Sequence, residues 1–247
     1  MTKMFGNLTD DGLKSQGDVI GGGLFDAGMH EGTVKLAYAG KSQNSDSQSI
    51  TVVIDVNGKE LRDTFWITKQ TGENYYTDKQ DPSIKRPLPG YTTADDLCLL
   101  TTGMPLSEQT VEDKVVKIYN YDEKKDVPTN VPVLTDVIGH KIIAGVIRQI
   151  VDKNQKDTSG KYVPTGETRE ENVIDKLFHA ETHKTVTELR EQMETAEFFD
   201  KWEAKNTGQV RNKAKGAQGK TGAPGRPAAN GAPSANATAK PSLFAKT

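Results

Sequence analysis

Aromatic residues stand beside lysines and arginines at three places in the middle of this chain. Aromatic rings stack on unpaired bases, which is worth about 1–3 kcal/mol per base, and cations neutralise phosphates. The combination is typical of surfaces that bind single-stranded nucleic acid. The candidate binding residues are Arg62, Trp66, Lys69, Tyr75, Tyr76, Lys79, Lys117, Tyr119 and Tyr121.

The sequence contains no arrangement typical of an enzyme active site or a metal centre. His179 and His183 stand four residues apart, but they fall in a predicted strand end and turn rather than on a helix that could present both to a metal. The glycines at 21–23 lack the Gly-Lys-Ser/Thr ending of a phosphate-binding loop. The single cysteine, Cys98, lies in an apolar run and is expected to be a buried thiol. We therefore expect a protein that is not an enzyme and needs no cofactor or metal.

Three consecutive segments of alternating apolar residues predict β-strands over 32–38, 50–56 and 60–69. Asn57-Gly58 separates the last two strands and is a strong signal for a two-residue hairpin turn, because both positions need a positive φ. In the first strand, the alternation places Val34, Leu36 and Tyr38 on one face, opposite Thr33, Lys35 and Ala37.

The alternation within the third strand decides which of its side chains can reach a ligand. Successive side chains of a strand point to opposite faces of the sheet. Leu61, Phe65 and Ile67 therefore predict a core-facing side. The outward side carries Arg62, Thr64, Trp66 and Thr68.

The rest of the chain predicts further strands and short helices. The order strand–strand–strand–helix–strand–strand is that of an OB-fold, which binds oligonucleotides across its second and third strands. We therefore expect a mainly-β (α+β) fold, an OB-fold-like barrel of five or six strands with a C-terminal helix. The predicted elements are a helix over 94–101 capped by Thr92 or Thr93, a strand over 111–121, a helical turn over 133–138, strands over 141–152 and 172–179, and a helix over 187–204.

Charge divides the chain into two unlike parts. Residues 205–247 contain eight Lys or Arg and no Asp or Glu, whereas residues 1–204 hold 24 Lys or Arg and all 34 acidic residues. The segment 205–247 is rich in Ala, Gly and Pro and buries too little apolar surface to offset its ordering entropy. The expected layout is a flexible lead over 1–28, a nucleic-acid-binding domain over 29–186, a C-terminal helix over 187–204 and a disordered basic tail over 205–247. No leader or membrane-spanning stretch is predicted.

Three stretches resemble the single-stranded DNA-binding proteins of tailed bacteriophages. They are LPGYTTADDLCLL at 88–100, VVKIYNYD at 115–122 and YVPTGETREENVIDKLFH at 162–179, and the similarity extends over about 29–206. The resemblance implies an OB-fold that binds single-stranded DNA without sequence preference during phage replication, recombination and repair. It also implies action in the cytoplasm of the infected bacterium, as a monomer or homodimer beside the phage polymerase and helicase.

The end of the chain departs from the usual pattern of replication proteins of this kind. Many of them carry a disordered linker and a short acidic peptide with a terminal Phe that docks partners. Here Leu243 and Phe244 supply the apolar part, but Lys240 and Lys246 flank them and acids are missing. Leu243 and Phe244 remain candidate partner-binding residues, while the cationic tail is expected to add phosphate contacts.

A structural role is the alternative interpretation. Gly216, Gly219, Gly222 and Gly225 recur at every third residue, which is the collagen period. A virion fibre or fibre-associated protein could use such a linker, although four triplets are too few for a stable triple helix. Oligomeric state separates the two interpretations, because a fibre protein is expected to be a trimer.

Overall fold

Antiparallel β-strands make up most of what the computed structural model describes, which is residues 23–42, 45–120, 123–158 and 162–215. Three short α-helices and one turn of 3-10 helix, Leu106–Glu108, accompany them, so the expectation of a mainly-β fold with short helices is confirmed. The strands are β1 (Gly28–Lys41), β2 (Gln48–Val56), β3 (Lys59–Trp66), β4 (Tyr75–Thr77), β5 (Lys85–Pro87), β6 (Val111–Asn120), β7 (Lys125–Leu134), β8 (Lys141–Lys156), β9 (Tyr162–His179) and β10 (Val210–Asn212). The helices are α1 (Pro89–Thr102), α2 (Val186–Arg190) and α3 (Glu197–Asn206).

Strands β1 and β8 organise the main sheet. β1 pairs with β2 on one edge, and β2 pairs with β3. The other edge of β1 pairs first with β8 and then, at Tyr38, with β7. β8 also pairs with β9 and, in parallel, with the short β10. β6 and β7 form a long hairpin, and β4 and β5 form a small separate one.

The strand pairings of the described residues do not close into a barrel. β3 pairs there only with β2, and β9 only with β8. One side chain bridges the two edges, since the Asp63 carboxylate accepts a hydrogen bond from the Ile174 amide at 2.8 Å. Burial raises the pKa of Asp63, against the lowering effect of the amides of Ile174 and Thr64. A carboxylate thus stands where a continuous ladder would close the sheet.

Two apolar clusters pack on opposite faces of β8. The main core joins Ile142, Ala144 and Val146 of β8 to the inner faces of β1, β2 and β3 and to α1, and it includes the buried Cys98. The second cluster joins Ile143 and Ile147 to Phe178 and to Trp202 of α3. β8 therefore forms the shared wall of both clusters.

A β-bulge at Lys35 changes which side chains of β1 face the core. Val34 is opposite Ile54 but Leu36 is opposite Val53, so Lys35 is the extra residue. Val34 and Ala37 are consequently both buried in the main core. The expectation that Val34, Leu36 and Tyr38 share one face is wrong, because regular alternation cannot anticipate an inserted residue.

Helix α1 begins five residues earlier than the sequence predicts. Leu88 precedes it in an extended conformation, and Pro89 occupies the first turn, where the missing N–H costs nothing. Thr92 and Thr93 are therefore not caps, and their hydroxyls donate to the carbonyls of Leu88 and Pro89.

Strand β7 lies in a segment where the sequence predicts no strand. The sequence predicts a helical turn over 133–138 there. Pro128 and Pro132 argue against a strand, but β7 pairs with β1 only at Val133, and prolines are tolerated along an open edge. Val133 and Leu134 are strand residues with buried side chains. The prediction is wrong there, and only 136–139 form a turn.

The continuous helix predicted over 187–204 is instead two helices. Thr185 starts α2 with a reciprocal capping box, in which its hydroxyl accepts from the Glu188 amide and the Glu188 carboxylate accepts from the Thr185 amide. Gln192 has a positive φ of 53°, which stops the helix after one turn and a half. The same Glu188 carboxylate then accepts from the Phe198 amide at 2.7 Å, in the first turn of α3.

Replacing Glu188 by Gln should destabilise the protein in a pH-dependent way. Burial acts to raise the pKa of Glu188, but the hydrogen bonds from the Thr185 and Phe198 amides outweigh it and hold that pKa below its usual 4.5. The carboxylate therefore stabilises the fold above pH 4.5, and this contribution is lost as the pH falls through the lower folded value. We expect Glu188→Gln to cost about 1–3 kcal/mol at neutral pH, with the difference from wild type shrinking in acid. Urea unfolding at several pH values measures this, and the exposed Glu191→Gln is the control.

Candidate nucleic-acid interface

The β2–β3 hairpin fixes the outward direction of Trp66. Asn57 and Gly58 form its turn with φ values of 54° and 84°, and the pairing runs without a shift from Val56 and Lys59 to Ser49 and Trp66. Phe65 is buried in the main core, whereas Trp66 is 52% exposed. The predicted alternation is confirmed within β3, with Leu61 inward and Arg62 outward, but the strand ends at Trp66 and not at Lys69 as predicted.

Helix α1 holds the backbone of Trp66 from the other side. Gly90, at the start of α1, packs so closely on Trp66 that a Cβ at this position would overlap the Trp66 carbonyl oxygen and lie 2.9 Å from its carbonyl carbon. Only a glycine permits this approach. Trp66 thus has a backbone clamped between β2 and α1 and a side chain in solvent.

The β4–β5 hairpin places several of the predicted residues next to the end of β3. Its Tyr75 ring is flanked by two cations, with the Lys85 Nζ 4.3 Å and the Lys69 Nζ 5.5 Å from the ring centroid. Lys69 also forms an ion pair with Glu73 at 3.5 Å. Tyr75 is half-buried, and its ring makes cation–π contacts with Lys69 and Lys85.

Tyr76 and Arg86 are direct cross-strand neighbours on the opposite face of the same hairpin. Tyr76 is 45% exposed. Arg86 binds Asp78 through a 2.7 Å contact, and hydrogen bonds from the Gln80 amide and from Arg86 lower the pKa of Asp78. Lys79 is exposed in the connecting turn, where it forms no ion pair within the described ranges. The hairpin therefore offers one open ring together with several cations.

Sequence reasoning did not select Lys85 and Arg86 as site residues. Both lie in strand β5, which has only three residues and gives no periodic signal. Their positions opposite Thr77 and Tyr76 depend on the hairpin pairing. The only signal in the sequence is their position directly before Pro87 in a loop that already carries two tyrosines.

Arg62 lies in surroundings that differ from those of Trp66. It contacts Glu60 at 3.9 Å, an exposed pair of little energetic weight. It also borders a groove of about 590 Å³ between β3 and β9, whose charged lining residues are Arg62, Arg169, Glu60, Asp63, Glu170 and Glu171. Four carboxylates against two guanidinium groups make this groove a poor site for phosphate.

The β6–β7 hairpin presents Lys117 and Tyr119 on a different face from Trp66. Val133 of β7 pairs with Tyr38, Tyr38 with Thr51, and Thr51 with Thr64. These pairs define a row on the sheet face opposite the main core, the face that also carries Trp66. The side chains of Lys117 and Tyr119 lie on the opposite face, because they are on the same side of the β6–β7 hairpin as Leu134. The structure therefore does not bring Lys117 and Tyr119 together with Trp66.

Three predicted residues, Tyr121, Leu243 and Phe244, lie outside the described residues. Within the described ranges, no group of three or more His, Cys, Asp or Glu could hold a metal ion. His183 stacks on Phe199 at 4.6 Å between centroids. Burial raises the pKa of the Cys98 thiol to about 12. The helices of the described part are all too short or too polar to cross a bilayer.

Comparison with known proteins gives no relative to guide the assignment. The chain matches no protein-family model, and no curated protein and no solved structure shows significant similarity to it. The functional argument therefore depends on the site geometry and on the sequence resemblance.

Replacing Gly90 by Ala should disturb the clamp on Trp66. The added methyl group overlaps the Trp66 backbone, so α1 or the end of β3 has to shift, which we expect to cost about 1–3 kcal/mol. Thr93→Ala, in the same turn of α1, is the control and should change stability little. Thermal unfolding of the two variants measures the difference, and equal stability would contradict the close packing.

Proposed function

We propose that this chain is a single-stranded DNA-binding protein without sequence preference, acting in phage DNA replication, recombination and repair in the infected bacterium. The observation that carries the proposal is the exposed Trp66 on a rigid backbone, next to the cationic β4–β5 hairpin. The resemblance of three sequence stretches to phage proteins of this class supports it.

Stacking is the interaction that the site is best suited to provide. An indole whose backbone is already held by β2 and α1 loses little freedom when a base packs on it. Tyr76 is the second open ring. Tyr75 has the lysines Lys69 and Lys85 over its ring, so we assign it to positioning these cations rather than to stacking. Because every base has a π-face, such stacking does not discriminate sequence.

Charge supports single strands over duplex as the ligand. The segment 66–87 has four Lys or Arg and three acidic residues, so its excess of positive charge is small. Residues 1–204 carry a net charge near −10, which disfavours non-specific capture of duplex DNA. A ligand with exposed bases gains stacking energy at Trp66 that a closed duplex does not.

The architecture supports an OB-fold-like interpretation, but residues 49–54 of β2 are buried, so the proposed DNA path does not cross β2. Three strands of the main sheet, β1 to β3, precede α1, and later strands complete the sheet, while the β3–β9 gap leaves it partly open. The DNA path that we propose runs from Trp66 over the β4–β5 hairpin. Arg62 lies at the acidic end of β3 and therefore contributes less to DNA binding. Lys117 and Tyr119 contact DNA only where the bound nucleic acid continues around the β6–β7 hairpin.

Trp66→Ala and Phe65→Ala should separate binding from folding. Loss of the exposed indole should weaken binding to oligo-dT by about 1–3 kcal/mol with little change in stability. Loss of the neighbouring buried ring should cost about 3–5 kcal/mol of folding free energy. Fluorescence anisotropy of a dye-labelled oligo-dT and urea unfolding measure the two effects. If Trp66→Ala bound as wild type does, the proposed function would lose its main support.

Lys79→Ala should lower the salt dependence of binding. Removing one phosphate contact reduces the slope of log K against log salt by about 0.7 for single strands. Lys141→Ala is the matched control, because Lys141 is an exposed lysine on β8 that pairs with Glu31. Anisotropy titrations at several salt concentrations measure both slopes, and identical slopes would place the DNA elsewhere.

A further inference from the structure

An apolar groove of about 310 Å³ lies between α1, β9 and the two C-terminal helices, and we call it the α2–α3 groove. Leu177, Val186, Met193 and Phe198 provide its apolar lining. Phe198 is 38% exposed although its ring stacks on that of the buried Phe178. Of the candidate nucleic-acid-binding residues that the structure describes, none lines this groove.

The rim of the α2–α3 groove has an excess of negative charge. Its carboxylates are Asp96, Glu188, Glu191 and Glu197, against Lys176 and Lys201. Glu197 is already paired with Lys201 at 2.7 Å, and Glu188 is occupied by backbone amides. Asp96 and Glu191 therefore remain to attract a cationic ligand, with Lys176 and Arg190 opposing them near Asp96.

We propose that the α2–α3 groove binds the tail tip of the same chain, Leu243 and Phe244. These two are the only large apolar residues in 216–247, a segment with four Lys or Arg and no acid. Lys240 and Lys246 flank the pair and complement Asp96 and Glu191. An apolar dipeptide between two cations matches an apolar groove with an acidic rim.

The linker has a suitable length for this contact. The described chain ends at Lys215, whose amide donates to Asp152 of β8. Lys176 lines the groove and pairs with Gly145, so this point and Asp152 lie seven residues apart along β8, or about 23 Å. A random coil of the length of 216–242 has an average end-to-end distance of about 26–31 Å. Because the average end-to-end distance of the linker matches the span to the groove, the tail tip has a millimolar effective concentration there, and even a weak contact is populated.

Paramagnetic relaxation in the full-length protein tests this docking. A nitroxide label at Thr238→Cys reports on the tail, and the buried Cys98 does not compete for the label. We expect loss of amide NMR signals at Thr187, Met193 and Phe198, and no loss at Trp66 or Tyr76. A label at Gln218→Cys, close to Lys215, is the control and should leave the groove signals intact.

Further variants show which contacts cause the signal loss. Adding Leu243→Ser and Phe244→Ser should restore the groove signals, and so should Glu191→Lys. Combining Glu191→Lys with Lys240→Glu and Lys246→Glu should again cause loss of the groove signals, because the charges of the groove and of the tail tip are then exchanged.

Three outcomes would overturn the proposal. Groove signals unaffected by the Thr238 label would show that the tip lies elsewhere, and signal loss insensitive to Leu243→Ser and Phe244→Ser would exclude the apolar contact. Spin-labelled molecules without isotope label can be mixed with isotope-labelled molecules without nitroxide, and signal loss at the groove in that mixture would identify a second copy as the occupant. DNA affinity does not enter this test, so it stands or fails independently of the proposed function.

Discussion

The register between β2 and β3 is the constraint on which the candidate site depends. Eight consecutive pairs hold the strands from Val56 and Lys59 to Ser49 and Trp66. Because side chains alternate, a slip by one residue would put the indole in the core and the phenyl ring of Phe65 in solvent. The tight turn at Asn57-Gly58 and the burial of Phe65 exclude that slip, and Gly90 fixes the far end of the strand.

Stacking and electrostatics contribute unequally along this surface. At one end of β3, Arg62 borders a groove with more carboxylates than guanidinium groups. At the other end, Trp66 is followed by the cations of the β4–β5 hairpin. On the proposed path, a polyanion would therefore be repelled at the Arg62 end and attracted only by a small positive excess at the other, which suits a ligand bound mainly through its bases. The acidic rim of the α2–α3 groove gives the basic tail a separate place on the same body.

Local signals in the sequence were sufficient for β2, β3 and their turn, because alternation and Asn57-Gly58 depend on neighbouring residues. Features set by distant contacts were not predictable. The bulge at Lys35 depends on the pairing of β1 with β2. Strand β7 contains prolines that only an open edge tolerates. Helix α2 ends early, and the carboxylate of its Glu188 accepts a hydrogen bond from the Phe198 amide of α3. For the same reason the position of Lys85 over the Tyr75 ring became visible only in the folded β4–β5 hairpin.

Tryptophan fluorescence during titration with oligo-dT tests the central claim most directly. The chain has two tryptophans, and Trp202 is only 4% exposed, with its indole N–H bonded to Asp175. Bases that stack on Trp66 should quench the emission up to saturation, and the quenching should disappear in Trp66→Phe, whereas duplex DNA should have little effect. Unchanged emission with saturating oligo-dT, or quenching that persists in Trp66→Phe, would contradict the account.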